Sequence, residues 1–468
     1  MHETGNGTGN GTGNGTGHET GHGTGNETGH GAAHETGHET GHGTAHETGH
    51  ERSREQNHEQ GRAATGHAPW ADRAWAAVLE RTGQIAAEVG PRFPLYADPE
   101  TGIWKTTSRG SWTGGFWAGL LWLRALASGA PQDRSAAAAC TRRLAHWTDQ
   151  DTATRGLIFW YGTALAAGPG GDSLAAGLRE RAARACLAAY DPERELVPWG
   201  EAFGGPRMLA RVDSVPGLVP LLADLGTAGE RAAYGHLTRH LTLSRTESPP
   251  RPAWQAGPDD GWTPCAEPAP GWSRTTPWLL LGLADGLHRL ADRLNSRATG
   301  ALWEAADGLM APRLAPADRR MSPRLAPADG LTTPRLAPPD WFTAPPLAPA
   351  GLPAPFAPAA PLVPPAQEDQ PAGPLDTSAA AIESVALLKL AALARATGRG
   401  SEAGRLTARA RQILHRLCTG HLSARGALTD GCYDAARALA PRHELIWGDF
   451  FLAVGLGMLT GRMAPFAT

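Results

Sequence analysis

The sequence predicts an all-α domain in which one set of helices is enclosed by another. Three observations carry this. Between about residue 70 and residue 300, and again from 376 to 465, apolar residues recur at spacings of three and four. Runs of strand-like alternation are rare. Several helical stretches are apolar on more than one face, and such helices must lie inside something, as in an inner ring shielded by an outer one.

The elements follow in order. Residues 1–66 repeat a four-residue unit close to HETG, HGTG or NGTG and hold almost no apolar side chains. Nothing there offsets the entropy of ordering the chain, so a disordered tail is expected. His18 and His22 stand four apart, as do His30, His34, His38, His42, His46 and His50. On a helix that spacing would make a metal-binding face, but the recurring Gly opposes a helix. Weak metal capture by a flexible tail, or a start site placed too far upstream, are the alternatives.

Order is expected from Pro69. The helical stretches are ADRAWAAVLERTGQIAAEV, GGFWAGLLWLRALASG, DRSAAAACTRRLAHWTD, DSLAAGLRERAARACLAAY, GERAAYGHLTRHLTL and TPWLLLGLADGLHRLADRL. Residues 311–374 then break the pattern. PRLAPAD begins at Pro312 and Pro323 and PRLAPPD at Pro334, and a Pro/Ala tract follows. Proline at this density disfavours helix and sheet and favours extended chain. Helical text resumes with DTSAAAIESVALLKLAALARATG and SEAGRLTARARQILHRLCTG and ends with IWGDFFLAVGLGMLTG. Neither half looks complete alone. The expectation is a 1–66 tail and one domain over 67–468, interrupted by a solvated insertion at 311–374.

The bulk numbers exclude some functions. The 468 residues carry a formal charge of -3, with no signature of polyanion binding, so a nucleic-acid partner is not expected. Sixteen Trp against nine Phe and five Tyr favour rings with a polar edge, which suit sugar stacking as well as ordinary cores. Cys140, Cys186, Cys265, Cys418 and Cys432 are dispersed and odd in number, which argues against a disulfide framework or a zinc site. The N-terminus shows no apolar leader, and no apolar run reaches the length of a membrane span. A soluble, cytoplasmic protein without a membrane partner is the expectation.

Four stretches place Trp, Arg or Asp beside helix starts. In SRGSWTGGFWAGLLWL, Trp112 sits in a polar loop, while Trp117 and Trp122 suit the core. In RVDSVPGLVPLL, Asp213 is either an N-cap, with Pro216 tolerated in the first turn, or a catalytic acid at a pocket mouth. In GWSRTTPWLLLG, Trp272, Arg274 and Trp278 fall within seven residues. A guanidinium between indoles matches a sugar carboxylate, and equally a surface Arg stacked on a structural Trp. Asp376 in DTSAAA and Asp449 in ELIWGDFF precede apolar helix text, and a capping role suits both.

Taken in order, SWTGGFWAGLLWL, VDSVPGLVPLL, WSRTTPW, DTSAAAIESVALLKLA and IWGDFF resemble the unsaturated glucuronyl hydrolases, glycoside hydrolase family 88. The resemblance spans roughly 70–300 and 376–465. It implies an (α/α)6 barrel with its pocket at one end and a small oligosaccharide substrate. It implies no metal and no organic cofactor. The reaction it implies is removal of a 4,5-unsaturated uronic acid by hydration of a vinyl ether. Asp213 matches the family's general acid and base. Trp272, Arg274 and Trp278 match a W-A-R-G-Q-A-W motif lining the substrate site, Trp112 matches a loop Trp, and Tyr433 in DGCYD matches a pocket tyrosine. The family's H-D-x-G-F is altered: Ala153 and Thr154 stand where its His and Asp would be, and Asp151 is the nearby substitute.

Two further readings stay open. One is an unsaturated rhamnogalacturonyl hydrolase, which uses the same barrel. The other is a degenerate barrel that binds a sugar acid without turning it over. A sugar epimerase on this barrel lacks support, because the helical text shows no paired-histidine constellation. A monomer or dimer is expected.

Overall fold

The computed structural model describes residues 68–259, 261–314 and 361–468. The histidine-rich repeat of residues 1–66 lies outside the described residues. So do the PRLAP repeats that begin at Pro323 and Pro334.

Twelve α-helices are described. They are α1 (Pro69–Val89), α2 (Gly114–Ser128), α3 (Pro131–Arg142), α4 (Tyr161–Ala167), α5 (Ser173–Ala188), α6 (Leu218–Ala223), α7 (Gly226–Ser244), α8 (Thr275–Leu290), α9 (Ser296–Leu314), α10 (Thr377–Ala396), α11 (Gly400–Gly420) and α12 (Ile446–Leu459). A π-helical turn, Gly156–Trp160, leads into α4. The even-numbered helices neighbour one another in sequence order, α4 meeting α6 through the π-helical turn before it, and α12 packs back on α2, so they close a ring. The odd-numbered helices lie outside it. This is an (α/α)6 barrel.

Side-chain pattern separates the two rings. Every residue of α12 is buried, and α10 is buried without a break from Thr377 to Ala391. A helix apolar all round is stable only when enclosed. In α11, by contrast, burial falls on Ala403, Leu406, Arg409, Ala410, Ile413, Leu414 and Leu417, a single stripe with mostly charged and polar residues opposite. Trp117 and Trp122 are core residues, as expected. One expectation is corrected here: α10 is long and apolar enough to cross a membrane by length and composition. Its apolar surface is mostly buried within the barrel instead.

The connections are unequal. Every link from an inner helix to the next outer one is short, as at 129–130, 224–225 and 397–399. Every link from an outer helix to the next inner one is long, as at 90–113, 189–217, 245–274 and 421–445. The long links gather at one end of the barrel, where the inner helices begin. They also hold the small strands that the sequence did not announce. Strands β1 (Phe93–Ala97), β2 (Trp104–Thr107) and β6 (Glu444–Leu445) form one antiparallel sheet in the order β2-β1-β6. Strands β3 (Leu209–Arg211), β4 (Ala253–Ala256) and β5 (Trp262–Pro264) form the other. These strands are too short for a period-two signal to stand out from their loops.

The proline-rich segment is narrower than its composition suggests. Helix α9 runs through Pro312 to Leu314, where proline disturbs only a last turn. From Pro361 onward the chain is built into the barrel's mouth: Ser273 donates its N–H to the Ala366 carbonyl, and Gln367 bridges to Trp272. Glu383 of α10 joins the two sides. It accepts from Arg313 at 2.9 Å and from Arg409 at 3.4 Å, and Arg409 also donates to the Pro361 carbonyl at 2.8 Å.

Candidate active site

Of the candidate site residues, Trp112, Asp151, Asp213, Trp272, Arg274 and Tyr433 lie on the long links or immediately before an inner helix, while Trp278 and Asp449 lie inside inner helices. The fold divides them into two groups.

The first group is aromatic. Trp112 and Trp447 have ring centroids 4.9 Å apart. Tyr433 lies 5.6 Å from Trp447 and 5.4 Å from Tyr96. The Trp112 and Tyr433 ring centroids are 6.4 Å apart, and burial pushes the Tyr433 phenol up. The Arg274 guanidinium lies 4.7 Å over Trp272 and 5.7 Å from Trp447. Trp112, Trp272 and Tyr433 are partly exposed.

Arg274 does not offer a free fork to an anion. It is buried, and it donates to Asp376 at 2.5 Å and to the Cys432 and Tyr433 carbonyls at 2.7 and 2.9 Å. These bonds stitch the 421–445 link to the start of α10. Asp376 caps α10 by accepting from the Ser378 N–H at 3.2 Å, as expected. Trp278 corrects its expectation. It is 1 % exposed and packs edge-on against Phe451, so it belongs to the core and not to a sugar-facing wall. Asp449 caps nothing either; it lies inside α12 and accepts from the Leu428 N–H at 3.0 Å.

The second group centres on Asp213. The cap reading fails, because α6 begins only at Leu218, after Gly217 at φ 70°. Asp213 instead sits in a single 3-10 turn, Val212–Ser214. Arg211 grips it with both arms, Nε to Oδ1 at 3.1 Å and Nη2 to Oδ2 at 3.0 Å, while stacking 4.4 Å over Trp199. Such a paired grip fixes the plane of the carboxylate. Asp151, on the 143–160 link, meets Arg207 at 2.8 Å and is the more exposed of the two carboxylates. Thr154 is buried, and its hydroxyl bonds Thr152 at 2.9 Å, so this position supplies no acid or base. Gly156 and Gly217 bring α4 and the Asp213 turn together: a Cβ on Gly217 would meet the Gly156 carbonyl oxygen at 2.4 Å, and one on Gly156 the Leu218 nitrogen at 2.3 Å.

Behind Asp213 lies a pair that the sequence reading overlooked. His236 and His240, one turn apart on α7, are fully buried with ring centroids 4.3 Å apart. The signal was present in GHLTRH as an i, i+4 repeat. Burial pushes His240 down to about 4 and His236 well below its usual value, outweighing the nearby carbonyls and the Asp213 charge. In the unfolded chain His240 takes a proton near pH 6.5, and in the native protein only near pH 4. The unfolded state therefore binds more protons in this window, and stability present at pH 7 is lost as pH falls toward 4. The His240 share of that loss is roughly 3 kcal/mol. Urea unfolding at pH 7 and pH 4.5 should show a larger drop for the wild type than for His240→Gln; equal drops would contradict it.

No protein-family model matches the chain, and no curated protein matches it by sequence. Solved structures do. The unsaturated glucuronyl hydrolase of Bacillus sp. GL1, responsible for the degradation of glycosaminoglycan, superposes with a TM-score of 0.64 at 19 % identity, covering 83 % of this chain and 96 % of that one. The chain shares the unsaturated glucuronyl hydrolase fold. A heparin-specific unsaturated glucuronyl hydrolase gives a TM-score of 0.65 at 17 % identity over 85 % of this chain and 98 % of that one. A Streptococcus agalactiae unsaturated glucuronyl hydrolase variant in complex with dGlcA-GalNAc6S gives 0.58 at 14 %, over 84 % and 92 %.

Proposed function

We propose that this chain is a glycoside hydrolase that removes a 4,5-unsaturated uronic acid from the non-reducing end of lyase-generated oligosaccharides. The observation that carries the reading is the Asp213 carboxylate, immobilised by Arg211 beside the mouth of an (α/α)6 barrel. The five ordered motifs and the shared fold support it.

In this reading the bound sugar draws Arg211 off the Asp213 carboxylate, which then takes up a proton and delivers it to C4 of the C4=C5 bond. Water adds at C5 and gives its proton back to the Asp213 carboxylate. The resulting hemiketal opens and releases the remaining sugar as an alcohol. One carboxyl group serves as acid and then as base, so the two-carboxylate geometry of ordinary glycosidases is not required. Trp112, Trp272 and Tyr433 supply ring faces for stacking on the sugar. Arg274 shapes that wall from behind. Asp151 is the second acidic group in this reading. The reaction calls for no metal or organic cofactor, and a small oligosaccharide is the partner.

A second reading, a barrel that binds a sugar acid without turnover, is favoured by Thr154, whose hydroxyl replaces a carboxylate. One experiment separates the two. The protein is mixed with lyase-generated disaccharides from hyaluronan, chondroitin, heparin and pectin while the ultraviolet absorbance of the conjugated double bond is followed. A steady fall is expected, and the best substrate separates glucuronyl from rhamnogalacturonyl specificity. A flat trace from folded protein, with the same sugars binding by calorimetry, would establish the binding reading.

A further inference from the structure

We infer that the buried pair His236 and His240 is the positioning device for Asp213. The inference rests on the proposal that Asp213 is the working acid. The pair touches the Asp213 turn at its neighbour, Ser214. The Val197 N–H donates to His236 Nδ1 at 3.1 Å, so that nitrogen is an acceptor and Nε2 carries the proton. Nε2 then donates to the Ser214 carbonyl at 3.3 Å. In His240 the order is reversed: Nδ1 faces the His236 carbonyl at 2.7 Å and carries the proton, leaving Nε2 toward Ser214 Oγ at 3.1 Å. Ser214 Oγ also lies 2.5 Å from the Arg211 carbonyl, and its one proton is shared between these two acceptors.

The chain of contacts reaches both residues that set the carboxylate. It holds the backbone of Ser214, directly after Asp213, and that of Arg211, whose side chain grips Asp213. Burial keeps both rings neutral at physiological pH, so each ring has one donor and one acceptor; both nitrogens of His236 are matched, while His240 Nε2 shares the Ser214 proton with the Arg211 carbonyl. A turn of three residues has few bonds of its own, and these supply what its length cannot. His236 and His240 are positioning residues, since neither reaches the mouth.

The test uses the full chain, with the chondroitin-lyase disaccharide as probe. His240→Asn and Ser214→Ala break the link through Ser214 Oγ; His240→Gln restores an amide at the Nε2 position. Thr238→Ala, on the same helix but bonded only within it, is the stability control. We expect kcat to fall by about tenfold or more in the first two variants with KM unchanged. His240→Gln should recover most of the rate, and Thr238→Ala should lower Tm without this loss. Unchanged kcat in Ser214→Ala and His240→Asn, or an equal loss in the control, overturns the inference.

A second readout needs no turnover. With 13C-labelled aspartate, the Asp213 carboxyl resonance should move in Ser214→Ala and His240→Asn and return in His240→Gln. An inert wild type would sink the hydrolase reading alone; an Asp213 resonance unmoved in all three variants would sink the positioning role whether or not the protein turns over.

Discussion

Asp213→Asn is expected to lower kcat on a lyase-generated disaccharide by about 10²- to 10⁴-fold, the ordinary contribution of a positioned general acid. Asn matches the shape of Asp but cannot deliver the proton to C4 or take one back from water. Its oxygen still accepts one arm of Arg211, while its NH2 group faces the other arm's donor. The turn therefore loosens locally without leaving a cavity. Sugar binding, measured by calorimetry, should survive, because the ring faces of Trp112, Trp272 and Tyr433 are untouched. An unchanged rate would move the acid elsewhere, and Asp151 is the next carboxylate to replace. Parallel rates for Asp213→Asn and Asp151→Asn decide between them.

Arg274→Met is expected to destabilise the fold by about 3–5 kcal/mol, the usual result of removing one partner from a buried ion pair. Asp376 is fully buried, and apart from Arg274 its side chain is met by Ser273 and Ser378. Without the guanidinium it is left charged in the interior. The Cys432 and Tyr433 carbonyls lose their donor at the same time, which frees the link that carries the Tyr433 ring. A clamp for a sugar carboxylate behaves otherwise: its loss raises KM and leaves Tm in place. Thermal unfolding and steady-state kinetics on one preparation separate the cases. A Tm equal to wild type would return Arg274 to the substrate.

The ring architecture was legible because burial on all sides leaves a plain mark in sequence. IWGDFFLAVGLGMLTG and DTSAAAIESVALLKLA contain too little polar surface to face water. The wall at the mouth was legible only as a set of residue types. Trp272, Arg274 and Trp278 are close in sequence, yet a helix start turns Trp278 inward while Arg274 bonds across to links more than a hundred residues away. Spacing along the chain cannot carry that, since the partners are chosen by closure of the ring. Arg211 was hidden for a simpler reason. Two residues before an aspartate, it looks like any surface charge until the extended strand end and the following turn fold it back over Asp213. The His236–His240 pair was visible as a repeat, but nothing local said that it faced a turn from another part of the chain.

The junction of Arg313, Glu383, Arg409 and Pro361 has a consequence for how much this architecture can carry. The Arg313 end is held to α10 through Glu383 and the Pro361 end to α11 through Arg409, and Arg409 in turn meets Glu383, so side chains fix both ends at the barrel whatever lies between them in sequence. At that junction the barrel acts as a docking port for foreign sequence. A tag, a reporter or a second enzyme spliced between those two ends should leave the six hairpins to fold as they do now.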